Sequence, residues 1–188
     1  KKVIELSPDS ISTYCLSYDA GSKLADGEAF LDVNRERTFY EKTWAFLAKS
    51  GYSQYEISNF SKDKQSACLH NIRTWEMCEW EAFGPSASNQ RILGSKDLFA
   101  RRQKNVSSFE KWLEGVDKGE LNFDYIEEVS LDEFIRDCFI FGLRMNKGIN
   151  LSLLKKRFKK SPEIKKTLSF LKESLDSDLF IQKEDSFC

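Results

Sequence analysis

A strand, a long helix and a second strand follow one another over residues 10–58, and this order constrains the fold more than any other feature. Residues 10–18 and 52–58 each alternate with a period of two, which is typical of strands. Between them, Tyr40, Trp44 and Leu47 recur at helical spacing. A crossover of this length joins parallel strands, so we predict a βαβ unit.

The ends of these three elements carry further signals. Asn34 is predicted to cap the N-terminus of the helix, and Gly51 is predicted to take the left-handed conformation after its last turn. Ligands of a parallel sheet gather at the carboxyl ends of its strands, where Asp19 and Asn59 would lie.

The chain beyond Lys104 is predicted to be helical. Three helices followed by a hairpin are the order of a winged-helix domain. We therefore predict an α/β domain over residues 1–104 and a small helical, winged-helix-like domain over residues 105–188. The signals are a capping box of Ser107 with Glu110, a second of Ser130 with Glu133, caps at Asn150 and Ser161, and a hairpin over residues 179–187.

The segment 51–89 holds the side chains best suited to chemistry. Tyr55 and Ile57 are expected to face the core, which leaves Glu56 able to meet a ligand. His70 is the chain's one histidine, and an imidazole can bind haem iron. A lone loop histidine is more often structural, and the nearby Trp75, Trp80 and Phe83 are more often packed aromatics than stacking platforms.

The same segment resembles a known family. It reads GYSQYEISNF, then HNIRTW, then WEAFGPSASN, and these blocks are similar to GYxxYExSNFA, HNxxYW and YxGxGPGAHS of the oxygen-independent coproporphyrinogen III oxidases. The haem-chaperone branch of that family is the better match. Ala82 and Ser86 stand at family glycines, and Ser88 stands where the chaperones have a histidine. Weaker matches, ISTYCLSYDAGSKL and FIFGLRMNKGINL, lie on either side.

This resemblance implies a radical S-adenosylmethionine (SAM) protein of tetrapyrrole metabolism. The chain would be the C-terminal part of a longer protein, comprising the closing βαβ part of a partial (β/α) barrel and the helical domain. The [4Fe-4S] cluster and most of the SAM site would lie upstream, so the chain alone is expected to be inactive. Its implied contacts are Glu56, Asn59, Ile72 and Arg73 for SAM or substrate, and His70 for haem, with no metal ligand otherwise expected.

Two alternatives remain open from the sequence. One is oxidative decarboxylation of coproporphyrinogen III, and the other is nucleic-acid binding by a winged helix whose basic run includes Lys155, Lys156, Lys165 and Lys166. A net charge of −1 gives no general attraction to nucleic acid, which argues against the second alternative.

Composition limits the location and the partners. The five cysteines show no CxxC spacing and no apolar run approaches a membrane span, so we expect reduced thiols, the cytoplasm and no transmembrane segment. The expected partners are haem or a porphyrinogen, together with a haem-accepting protein.

Overall fold

The computed structural model describes residues 2–15, 32–158, 161–174, 182–183 and 186–187. The chain divides into two compact units, a first unit of Lys1–Cys68 and a second unit of Leu69–Cys188. Both combine helices with small antiparallel sheets, so the α/β class is confirmed. Within the described residues, no helix has the length and apolarity needed to span a bilayer.

The first unit corrects the predicted βαβ pairing. Its elements are α1 (Lys2–Glu5), β1 (Ser10–Ser12), α2 (Val33–Lys49), β2 (Ser53–Glu56) and β3 (Asn59–Ser61). The sheet order is β1-β3-β2, and both outer strands pair antiparallel with β3. Strands β1 and β2 thus run in the same direction but do not pair, because the chain turns back after Glu56 and inserts β3 between them.

Helix α2 begins at a different cap from the predicted one but ends as predicted. Asp32 caps the helix by accepting from the backbone N–H of Asn34 (3.0 Å) and Arg35 (3.2 Å), so the predicted cap at Asn34 is wrong. Gly51 follows the helix with φ +84°, as predicted. The first predicted strand is described only as Ser10–Ser12, and Asp19 lies outside the described residues.

A small core holds the first unit together. Three buried residues form its centre: Leu47 of α2, Tyr52 just before β2, and Phe60 of β3. Ile4 and Ile11 are partly buried and pack beside them. The Tyr52 hydroxyl donates to the carbonyl of Pro8 at 2.6 Å. The core thus packs α2 against the three-stranded sheet of the first unit.

The second unit is not purely helical beyond residue 104. Its elements are α3 (Leu69–Trp75), β4 (Ser88–Ile92), β5 (Ala100–Asn105), α4 (Phe109–Lys118), β6 (Phe123–Val129), α5 (Leu131–Gly142), β7 (Ile149–Asn150), α6 (Leu151–Phe158), α7 (Pro162–Ser174), β8 (Gln182–Lys183) and β9 (Ser186–Phe187). The strands form sheets of the orders β4-β5-β6 and β7-β9-β8. Lys104, near which the sequence suggested a boundary, lies inside β5 and pairs with Tyr125.

One of the two predicted capping boxes is confirmed. Ser130 and Glu133 exchange side-chain and backbone hydrogen bonds at the start of α5. At α4 the cap is Ser108 rather than Ser107, whose backbone N–H and hydroxyl donate to Asp124 instead. The shift by one residue follows because Asp124 on β6 fixes Ser107 before the helix begins.

An apolar cluster from α5, α6 and α7 forms the core of the second unit. Phe134 and Ile135 of α5 are completely buried, and Phe158 of α6 lies 6.1 Å from the ring of Phe134. Ala100 of β5 and Val129 of β6 extend the cluster to the sheet. The β4-β5-β6 sheet and the helices α5, α6 and α7 therefore share one core.

A polar network attaches the same sheet to α5. Arg102 of β5 donates to Gln90 (2.9 Å), Glu127 (3.3 Å) and Asp137 (2.5 Å). Gln90 is completely buried and donates in turn to the carbonyl of Cys78 at 3.0 Å. Arg102 therefore joins polar groups on three elements at once, and one of them, Gln90, is fully buried.

This network yields a stability prediction. We expect Arg102→Met to lower the free energy of unfolding by about 2 kcal/mol, because Gln90 and Asp137 would lose a hydrogen-bond donor where little water can replace it. Arg101→Met is the matched control, since Arg101 on the same strand pairs with the exposed Glu128. Urea unfolding measures both. Equal losses for the two variants would contradict the role given to Arg102.

Candidate functional site

Glu56 is the most deeply buried of the predicted site residues. Only 1% of its surface is exposed, and its Oε1 accepts from the backbone N–H of Ser58 (3.1 Å) and from the side-chain amide of Asn59. Asn59 accepts in turn from the hydroxyl of Ser12 on β1. The structure thus brings Glu56 and Asn59 together in one hydrogen-bonded group across the sheet.

The orientation of this strand is opposite to the predicted one. Ile57 is 40% exposed, whereas Glu56 and Ser58 are buried. The pairing shifts between Gln54 and Glu56, where β2 meets β3, and this irregularity turns the polar side chains inward. The expectation that Ile57 faces the core is therefore wrong.

Two polar atoms of this group remain available. Within the described residues, Oε2 of Glu56 and Oγ1 of Thr13 are buried without a hydrogen-bond partner. Native structures rarely leave such atoms unsatisfied. A carboxylate oxygen accepts hydrogen bonds, so the group suits a ligand or protein group that presents a donor.

The other three predicted residues share one helix of the second unit. His70 and Arg73 on α3 are exposed, and Ile72 is half-buried. The hydroxyl of Thr74 donates to the carbonyl of His70 at 2.9 Å. An exposed imidazole and guanidinium on a single helix are free to meet a ligand, but the helix is only seven residues long and needs support from elsewhere.

Arg157 and Lys147 provide that support at the C-terminal end of α3. Arg157 donates to the carbonyls of Glu76 (3.0 Å) and Met77 (2.6 Å), and Lys147 forms an ion pair with Glu76. These carbonyls follow the last turn of the helix and have no partner within it. Sequence reasoning missed both residues, since the basic positions near Arg157 indicated a solvated face or a nucleic-acid patch.

Trp75 packs against other side chains, which is the more common role that the sequence analysis gave for this aromatic cluster. Its ring stacks on Phe141 with a centroid distance of 5.9 Å, and the guanidinium of Arg144 lies 4.4 Å from the ring centroid. Trp80 donates through Nε1 to the carbonyl of Ser88 at 2.9 Å, whereas Phe83 is exposed. Trp75 and Trp80 are therefore held by the protein itself.

The turn after Phe83 keeps the backbone shape of a glycine-rich turn. Gly84 has φ +89° and Ser86 has φ +61°. Ser86 stands where the resembled family has glycine, which takes this conformation without steric cost. The side chain of Asn105 donates to the carbonyl of Gly84 at 2.8 Å and holds the turn.

A pocket of about 690 Å³ lies beside the supported end of α3. We call it the sulfur pocket because two thiols and a thioether are part of its wall. Within the described residues, no three His, Cys, Asp or Glu side chains come together in a way that could hold a metal ion. Six of the lining residues are Trp75, Cys78, Cys138, Met145, Lys147 and Arg157.

Comparisons with known proteins agree with this architecture. The structure superposes on coproporphyrinogen III oxidase (HemN) from Escherichia coli, a radical SAM enzyme, with a TM-score of 0.70 at 18% identity; the match covers 99% of this chain and 45% of that one. At this identity the likeness establishes the fold. No family model matches the sequence.

Sequence relatives extend the likeness. The haem chaperone HemW of Haemophilus influenzae is 32% identical over 105 residues, which are 52% of this chain and 26% of that protein. HemW of Bacillus subtilis is 27% identical over 66% of this chain and 30% of its own length. The mitochondrial radical S-adenosyl methionine domain-containing protein 1 of Danio rerio is 25% identical over 79% of this chain and 35% of its own length.

The chain is thus similar to HemW proteins in sequence and to HemN in fold. It spans about a third or less of the length of these curated relatives. The activity and partners of any whole HemN/HemW-type protein therefore enter below as proposals.

The buried carboxylate gives a prediction for the first unit. Glu56→Ala should lower the free energy of unfolding by about 2 kcal/mol, since Ser58 and Asn59 would lose a buried acceptor. Glu56→Gln keeps an oxygen in place and should cost less. The exposed Glu41→Ala, on α2, is the control and should have little effect. Urea unfolding decides; indistinguishable curves for Glu56→Ala and Glu41→Ala would contradict this role.

Proposed function

We propose that the chain belongs to a radical SAM haem chaperone and that its second unit binds haem. The observation that supports this most is the HN pair on an exposed, externally supported helix in a chain whose sequence relatives include haem chaperones. The imidazole of His70 is the proposed iron ligand. Arg73 and Ile72, on the same helix, are proposed contacts for SAM or for the tetrapyrrole, because a guanidinium pairs well with carboxylates.

Glu56 and Asn59 are proposed SAM contacts in the first unit. Oε2 of Glu56 has no partner among the described residues, and this supports the proposal, because the amino and hydroxyl groups of SAM are hydrogen-bond donors. SAM would supply radical chemistry when reductively cleaved at a cluster. The described residues would bind and orient one side of SAM, and the cluster ligands would lie in a part of the protein outside this chain.

Three further proposals concern the fold of the C-terminal region, the cellular compartment and the partner protein. The order helix, strand, two helices, two strands over residues 131–187, with the sheet order β7-β9-β8, supports a winged-helix-like domain. The four cysteines that the structure describes are all unpaired, which supports a reducing compartment such as the cytoplasm. The proposed partner is a haem-accepting protein.

The alternative of coproporphyrinogen III decarboxylation has weaker support in this chain. The likeness to the HemN structure is one of fold, at 18% identity, whereas the sequence relatives above include haem chaperones.

Haem titration followed by the Soret band tests the proposal. We expect saturable binding by the unchanged chain, and an affinity roughly tenfold lower for His70→Ala, because one iron–nitrogen bond is lost. Leu69→Ala is the control, since Leu69 is exposed on the same helix and has no ligating atom.

Each result has a distinct meaning. An absence of saturable binding by the unchanged chain would contradict the haem proposal. Binding that His70→Ala leaves at full strength would keep haem binding and remove His70 as a ligand.

A further inference from the structure

The sulfur pocket has the size of a small-molecule site. Its volume of about 690 Å³ lies within the range of roughly 300–1,000 Å³ that is usual for ligand pockets. Met145, Ile149 and Leu154 are buried residues that give it an apolar wall. His70 is not among the lining residues, so any ligand in this pocket would be held by other groups.

Cys78 is fixed in the wall of the pocket from both sides of its backbone. Its N–H donates to the carbonyl of Arg73 at 2.9 Å, and its own carbonyl accepts from the buried Gln90 at 3.0 Å. The residue is half-buried and is one of those that line the pocket. A metal-ligating position requires a side chain that is held in place by its surroundings, and the fixed backbone of Cys78 meets this requirement.

The second thiol of the pocket is less suited to ligation. Cys138 is buried on α5, and burial raises the pKa of its thiol to about 12. It therefore stays protonated, whereas the thiolate is the form that binds a metal. Of the two sulfur atoms, that of Cys78 is the better ligand.

Cationic groups lie on the same wall. Lys147 is more than half exposed and uses one donor on Glu76, which leaves further N–H groups of its ammonium for an anion. Arg157 adds a second positive charge, although two of its nitrogens already bind backbone carbonyls. An apolar wall, a sulfur ligand and a neighbouring ammonium fit an apolar metal complex that carries carboxylates.

We propose that the sulfur pocket is a second haem site of the second unit, with Cys78 as the axial ligand and Lys147 on a haem carboxylate. This inference rests on the proposed haem function. On binding, the Cys78 thiol releases its proton to solvent and its sulfur donates an electron pair to ferric iron, with no change in oxidation state.

The experiment uses the whole chain in the His70→Ala background, so that the first proposed ligand does not contribute. Ferric haem is titrated into His70→Ala, into His70→Ala with Cys78→Ser, and into His70→Ala with Cys68→Ser. Cys68 is the matched control, because it is also a half-buried free thiol but does not line the pocket. Circular dichroism of each variant checks folding.

We expect saturable binding by His70→Ala that Cys78→Ser weakens at least tenfold, with a shift of the Soret maximum, and that Cys68→Ser leaves unchanged. Lys147→Gln should weaken it without shifting the maximum, since it removes a carboxylate partner and not an iron ligand.

Two results would overturn the inference while the haem function stands. One is the loss of all saturable binding in His70→Ala alone, and the other is equal binding with and without Cys78. Failure of the unchanged chain to bind haem would instead remove the haem function and this inference together.

Discussion

The second unit depends on the contact between Arg157 and the end of α3. The guanidinium donates to two carbonyls that follow the helix, and it lies 5.1 Å from the ring of Phe134 and 5.2 Å from that of Phe158. A seven-residue helix has little stability of its own, so tertiary contacts determine where it lies. Because α3 carries His70 and Arg73, Arg157 joins the proposed binding residues to the apolar core.

The first unit is organised around a buried polar group instead. Glu56, Asn59 and Ser12 link its three strands by side-chain hydrogen bonds, beside a core of only a few apolar residues. A buried carboxylate is costly unless it is hydrogen-bonded, and one of its oxygens here has no partner among the described residues. Glu56 thus holds the sheet together through Oε1, while Oε2 stays unpaired among the described residues.

Local features were predictable from the sequence, and long-range pairing was not. Gly51 and the Ser130–Glu133 box were found because caps depend on residues three or four positions apart. The insertion of β3 between β1 and β2 was missed, since strand order depends on pairing between distant segments. Burial of Glu56 follows from an irregular register that no period in the sequence reveals.

The candidate site was partly predictable for the same reason. Motif similarity singled out His70, Ile72 and Arg73, and the structure places them on one helix. Their support was not predictable, because Arg157 contacts residues about 80 positions earlier, and its sequence neighbours Lys155 and Lys156 suggest only a charged surface. The sulfur pocket likewise combines Cys78 with residues of α5 and α6.

Amide hydrogen exchange of the chain, with and without ferric haem, tests whether haem binds the second unit around α3. We expect slower exchange on haem binding over residues 69–78 and 142–157, and unchanged exchange over residues 33–61. Haem-induced protection confined to other segments, or no protection anywhere, would contradict it.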